Sequence, residues 1–252
     1  MNDQEFNLLL GDLDRLCAAC IAPFTVMLAI ADTANLTPQG IIANGTGSLI
    51  NTGPGQFLVT NNHVYEAFQI RRAASDSIPL LLMSGRGGLG FLDISENRLV
   101  SRDRERDLAV LEIPVSHVRR QGKLFSTWNS WPPPRPAVGM PALVYGYPGE
   151  GRVPLGDSLG IRPLTMGRYV ASVTDRHFSL ADIHGDSEMR TPEGATPITS
   201  YGGLSGSAVY IIQSNSDSFL AGFVYEANFA LDIIYVTFCD HINADGTIRV
   251  SA

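Results

Sequence analysis

The chain has 252 residues, enough for one large domain or two small ones with their own cores, and 44% of them are hydrophobic, which excludes a disordered chain. Its formal charge of −7 argues against a nucleic-acid phosphate backbone as partner. The three cysteines cannot build a disulfide framework without leaving one over, so a fold that stands without disulfides, in a reducing compartment, is expected.

In chain order, residues 3–20 read as an amphipathic helix. It carries Cys17 and Cys20, whose C-x-x-C spacing on an apolar face favours buried small side chains over a redox pair or half a zinc site. Leu16 to Ala31 is mostly apolar and ends in Ala29-Ile30-Ala31, superficially a signal-peptidase site. Asp3, Glu5, Asp12 and Asp14 against one Arg15 give the preceding residues the wrong sign for a secretory leader. Pro23 and Thr25 interrupt a run already short for a membrane span. The expectation is a cytoplasmic protein with no membrane partner, whose first core strand is Phe24 to Ala31.

The 25 glycines and 15 prolines fall between short apolar runs, predicting many turns and little helix. Strands are expected at Phe24–Ala29, Gly45–Asn51, Gln56–Thr60, Ile78–Met83, Gly90–Ser95, Arg98–Ser101 and Leu108–Ile113. The basic stretch from Arg98 to Arg106 is broken by Asp103 and Glu105 and reads as a solvated loop, as does Arg119-Arg120. His117 to Pro136 differs in character: Trp128, Trp131 and Pro132-Pro133-Pro134 cannot join a central ladder and suggest a connector. Beyond it strands are expected at Ala142–Tyr147, Arg168–Thr174, His177–Ile183, Ser207–Ile212, Phe219–Tyr225 and Ile233–Phe238. Two all-β units of similar size follow from this pattern.

Three segments carry chemistry. Tyr201-Gly202-Gly203-Leu204-Ser205-Gly206-Ser207-Ala208 sets Ser205 between glycines at the entry to an apolar run, where a substrate carbonyl can approach backbone N–H groups unobstructed. Phe57-Leu58-Val59-Thr60-Asn61-Asn62-His63-Val64 delivers His63 at the end of a strand. Arg106-Asp107-Leu108-Ala109-Val110-Leu111 places Asp107 at the mouth of another. A serine is a weak nucleophile until an imidazole takes its proton, and the imidazole needs a carboxylate to fix its tautomer.

With these residues the chain resembles the trypsin-like serine peptidases of the chymotrypsin fold, particularly bacterial members without disulfides. The order His63, Asp107, Ser205 is that family's and not that of the α/β-hydrolases or subtilisins. Tyr145-Gly146-Tyr147-Pro148-Gly149 is similar to its early second-barrel strand, and the resemblance spans roughly residues 22 to 245. It implies an all-β fold of two six-stranded antiparallel β-barrels with the N-terminal helix added. The expected division is residues 1–20 as helical segment, 21–116 as first barrel, 117–136 as connector and 137–252 as second barrel. It further implies a serine endopeptidase with His63 as general base, Asp107 orienting it, Ser205 forming the acyl-enzyme, and the N–H groups of Gly203 and Ser205 as the oxyanion hole. No metal or organic cofactor is implied. Thr199 falls at the base of the family's primary pocket and Tyr225, Glu226 and Ala227 on the substrate-binding strand, which implies a neutral, small or apolar P1 residue. Glu226 or Asp232 could instead bias the pocket toward a basic side chain, against a plainer reading of both as solvent-exposed.

The family's digestive members carry an aspartate before the nucleophile, where this chain has Leu204, so activation by an ion pair to a freed N-terminus is not expected. The expected partners are a protein or peptide substrate and a regulatory protein docking at the N-terminal helix. Two further readings remain: a latent or inactive protease-like module used for protein binding, and an esterase on the same three residues.

Other motifs are weaker. Gly85-Arg86-Gly87-Gly88-Leu89-Gly90 satisfies G-x-G-x-x-G, but a returning strand rather than a helix should follow, so a hairpin loop is preferred to a dinucleotide site. Gly156-Asp157-Ser158-Leu159-Gly160 satisfies G-x-S-x-G and resembles the motif of the GDSL hydrolases; that family places it near the start of the chain, and here it reads as a loop. Asp182, His184 and Asp186 alternate without a fourth metal ligand. Ser207 rivals Ser205, and Asp103 rivals Asp107 more weakly.

Overall fold

The computed structural model describes residues 21–31, 41–75, 78–83, 91–95, 98–155, 158–182, 189–190, 200–213 and 218–249. The expected helix over residues 3–20, the glycine run 85–90, and Thr199, His184 and Asp186 lie outside them.

Two antiparallel bodies make up the chain. The first half contributes β1 (Thr25–Ala31), β2 (Ile41–Asn51), β3 (Gln56–Thr60), helix α1 (Asn62–Ala74), β4 (Leu80–Met83), β5 (Phe91–Asp93), β6 (Arg98–Asp103), β7 (Leu108–Glu112), helix α2 (Val115–Arg120) and β8 (Ser126–Thr127). The second contributes β9 (Pro141–Gly146), β10 (Arg152–Leu155), β11 (Ser158–Ile161), β12 (Leu164–Val173), β13 (His177–Ala181), β14 (Met189–Arg190), β15 (Ala208–Ile212), β16 (Ser218–Asn228) and β17 (Ile233–Phe238).

In the second half β13, β17, β16, β15, β9 and β12 pair in sequence, and a further β12–β13 ladder closes a six-stranded barrel. The first half is a curled sheet in the order β5-β4-β1-β2-β3-β7-β6, with β8 added in parallel to β2. Its edge strands β5 and β6 form no ladder with each other among the described residues, so the expected closure of this half into a six-stranded barrel is corrected to an open half-barrel. The cause is local: β5 is only three residues long, and the chain then turns back, with Ile94 N–H donating to Leu80 O and Leu80 N–H to Ser95 Oγ. These bonds tie residues 94–95 to β4 before the strand can reach β6.

Side-chain alternation explains how the bodies fit. On β1, Val26, Leu28 and Ile30 face a core inside the curled sheet that Tyr65 and Phe68 of α1 cover, while Met27, Ala29 and Ala31 face the barrel. On β9 and β15, Ala142, Val144, Val209 and Ile211 fill the barrel, while Leu143, Tyr145, Ala208 and Tyr210 meet the curled sheet. Strands buried on both faces must be apolar at every position, which is why β1 reads as a continuous hydrophobic run. The seam between the bodies is therefore a third core.

Sequence and structure differ most at helices and strand ends. Residues 62–74 form α1, which the strand pattern does not anticipate. The connector region is also more regular than expected, since α2 overlaps its start and β8 extends the first sheet from within it. Of the G-x-S-x-G stretch, Ser158, Leu159 and Gly160 lie on β11, which pairs with β10, while Gly156 and Asp157 lie outside the described residues.

At the end of β17, His241 is buried, with Nε2 donating to Arg176 O at 3.0 Å. Burial holds its pKa below the ordinary value of 6.5, and the cations Arg106 and Arg135 push the same way. Below about pH 6.5 the unfolded chain takes up a proton that the folded chain resists, so stability falls with pH in that window. His241→Gln should flatten the pH dependence of the urea midpoint below about pH 6.5; an unchanged slope there would assign the acid sensitivity to other groups.

Candidate active site

The site lies where three strand ends meet across the seam. His63 follows β3 in the first turn of α1, which corrects its expected place at a strand end. Asp107 immediately precedes β7, with φ +51°, a left-handed conformation rare for a residue with a side chain. Ser205 lies in the turn before β15.

His63 and Asp107 meet twice. The imidazole Nδ1 is 2.6 Å from Asp107 Oδ2, and the His63 backbone N–H donates to Oδ1 at 2.9 Å. With the carboxylate accepting from Nδ1–H, the neutral ring keeps its lone pair on Nε2. The ring is half-exposed and the carboxylate mostly covered. Asp103, the rival carboxylate, is occupied by Arg106, with Nη1–Oδ2 at 2.6 Å.

The Ser205 turn is tied to β2 beside this pair. Thr46 N–H donates to Ser205 O at 2.8 Å, Thr46 Oγ1 to Gly203 O at 2.9 Å, and Ser48 Oγ to Gly206 O at 2.9 Å. A side chain on Gly45 would meet both Val64, the residue after His63, and Ser205 O, so the start of α1 and the main chain of the serine turn flank one glycine. Gly206, at φ +88°, lies so close to β2 that an added Cβ would fall 2.0 Å from Thr46 O. Among the described residues no hydrogen bond joins Ser205 Oγ to His63.

The two serines of the turn differ in burial. Ser207 is fully buried with its hydroxyl against Gly146, whereas Ser205 is only partly buried. Leu204 packs inside the barrel, so apolar burial anchors the turn where an ion pair could have done so.

The backbone before Ser205 has a defined orientation. Gly149 N–H donates to Gly202 O at 2.6 Å. Because a trans peptide points its C=O and N–H in opposite directions, the Gly203 N–H is turned away from Gly149. Among the described residues neither the Gly203 nor the Ser205 N–H has an acceptor within the protein. Two such donors flanking a hydroxyl can stabilise a developing oxyanion.

Tyr225, Glu226 and Ala227 run along β16 beside this turn, through the bonds of Gly206 N–H to Val224 O and Val224 N–H to Ser207 O. The β15 ladder ends at Phe223, so one edge of residues 225–228 has no strand partner among the described residues. A β-bulge falls at Tyr225, which lines a cavity of about 180 Å³ with Glu105, Arg106, Arg176, His177 and Thr237. Burial raises its phenol pKa, aided by Glu226, Tyr235 and Asp107. Glu226 is exposed.

Asp232 is paired with a buried cation of the protein itself. Its Oδ1 accepts from buried Arg168 at 2.9 Å and from Tyr201 OH. Burial and this bond push the Tyr201 phenol up to about 12. The ion pair leaves no mark in the sequence, because its members stand 64 residues apart, one on β12 and the other in the turn before β17. Asp232→Ala should strand the Arg168 charge and lower stability by about 2 kcal/mol, less than for a fully buried pair because the carboxylate reaches water. Urea unfolding at neutral pH checks this; an unchanged midpoint would mean that water already neutralises Arg168.

No protein-family model and no curated protein matches the chain. A solved structure reported as "Aromatic interactions drive the coupled folding and binding of the intrinsically disordered Sesbania mosaic virus VPg protein" is similar to it at 13% identity and a TM-score of 0.45, covering 84% of this chain and 85% of that one. Likeness at that level carries no functional information.

Proposed function

We propose that the protein is a serine endopeptidase of the chymotrypsin-like class. The observation that carries the reading is the doubly bonded His63–Asp107 pair, placed beside a serine turn whose two N–H groups have no acceptor among the described residues. Ser205 Oγ attacks the scissile carbonyl while His63 Nε2 accepts its proton. The Gly203 and Ser205 N–H groups bind the oxyanion, the imidazolium returns the proton to the leaving amine, and water then releases the acyl group by the same route. Asp107 holds the tautomer and balances the imidazolium charge. The substrate backbone pairs with the free edge of residues 225–227 as an added strand. A neutral P1 residue suits the engagement of Asp232 by Arg168 and Tyr201, which leaves its charge already matched.

A latent or purely protein-binding module is the second reading, favoured by the missing Ser205–His63 hydrogen bond. In an enzyme this bond tightens when substrate binds. A fluorophosphonate probe separates the two. The peptidase reading expects labelling of the wild-type chain and its loss in Ser205→Ala. No labelling in any condition, including with candidate binding proteins, favours the module, and labelling retained in Ser205→Ala moves the nucleophile elsewhere. Asp107→Asn should lower kcat by about ten-thousandfold; a loss of only a few fold would show that Asp107 does not orient the base.

A further inference from the structure

Asn61 occupies the N-cap position of α1, with extended φ −78° and ψ 149°, yet its side chain does not cap the helix. A capping asparagine accepts, through Oδ1, a hydrogen bond from a backbone N–H in the first turn. Here Oδ1 is buried with no partner among the described residues, and Nδ2 reaches across to donate to the Asp107 backbone carbonyl at 2.7 Å. The cap is supplied from the other side, by Asp107 Oδ1 accepting from the His63 N–H. Two neighbouring residues have exchanged roles: the residue at the cap position holds the aspartate, and the aspartate caps the helix.

The exchange carries two costs at one point. A buried amide oxygen without a partner loses its hydration uncompensated, and a left-handed conformation brings Cβ of any residue other than glycine too close to the backbone. A serine at position 61 could cap the helix without the first of these. Buried unsatisfied groups and strained backbone persist where the surrounding structure fixes them for another purpose. The Asn61 bond fixes the Asp107 main chain at the residue whose two carboxylate oxygens address Nδ1 and the N–H of His63, so it sets the direction from which the carboxylate meets the ring.

We infer that Asn61 is a positioning residue: through the Asp107 carbonyl it locks the aspartate in its left-handed conformation and thereby aligns the His63 imidazole for proton transfer. The inference rests on the serine-peptidase reading for its effect on turnover, but its geometric content concerns the His63–Asp107 hydrogen bond alone.

The test compares the full-length wild-type chain with Asn61→Ala and Asn61→Ser. Serine is a good helix cap but too short to reach the Asp107 carbonyl, so it separates a capping role from a positioning one. The readouts are thermal stability, kcat and KM on a peptide substrate normalised to fluorophosphonate-titrated sites, and the far-downfield proton NMR resonance of His63 Nδ1–H, assigned by its loss in His63→Ala. Positioning predicts that Asn61→Ser keeps or gains stability while kcat falls about tenfold or more with KM within about twofold, the equivalent of one lost hydrogen bond. The Nδ1 proton resonance should broaden or move upfield in both variants. Full kcat per titrated site with an unaltered resonance in Asn61→Ser overturns the inference, even if Asn61→Ala fails to fold. Absence of labelling and cleavage in the wild-type chain defeats the peptidase reading instead. The Nδ1 resonance then decides the role of Asn61 by itself, unaltered in Asn61→Ser against it and broadened or shifted in its favour.

Discussion

Thr46 is the polar pin on which the arrangement depends. It is fully buried on β2, at the seam between the curled sheet and the barrel, and each of its polar groups is used. Its N–H holds Ser205 O and its hydroxyl donates to Gly203 O and accepts from Tyr147 N–H, while its carbonyl accepts from Thr60 Oγ1. Thr60 precedes Asn61 and His63, and Tyr147 follows β9. One residue thus fixes the serine turn against the strand that leads to the histidine. Apolar contacts alone could not do this, because they set distance across a seam without setting register.

Around that pin the two bodies divide the work. The curled sheet supplies the rigid ends that aim His63 and Asp107, and the barrel supplies the Ser205 turn and the free edge of β16. A site assembled across such a seam has its members on separate rigid elements, each locked by its own core, with only short turns exposed. Gly203 and Gly206 are the positions where that assembly demands glycine, since both have positive φ and both lie against backbone of another segment. The open side of the curled sheet lies at β5 and β6, the edges of its strand order, while β2 and β3, which lead to the Thr46 pin and to His63, lie inside it.

Much of the strand plan was legible because strands buried on both faces write themselves as unbroken apolar runs. Gln56–Thr60 and Ile233–Phe238 occur as expected, and β7, β9 and β15 begin or end within a residue or two of their expected limits. Helix α1 was missed because its polar sequence, Asn62 to Ala74, presents only Val64, Tyr65 and Phe68 as buried apolar residues. So short an apolar face follows from docking over one end of a sheet, which leaves the rest of the helix in water. Among the candidate site residues, His63, Asp107 and Ser205 were singled out from residue type and order. Asn61 and Arg168 were not, since an asparagine beside a histidine and an arginine in a strand look ordinary until their distant partners are known.

The sequence by itself determined the all-β character, the order of the chemical residues and the glycine-lined serine turn, because these rest on local periodicity and on side-chain chemistry that no neighbour can alter. Tertiary structure alone decided that the first sheet stays open, that the Asp232 charge is consumed by Arg168, and that Asp107 caps the helix while Asn61 holds Asp107. Each of these is a contact between segments far apart in the chain, chosen by the geometry of packing two twisted sheets, and such geometry leaves no periodic trace in the order of the residues.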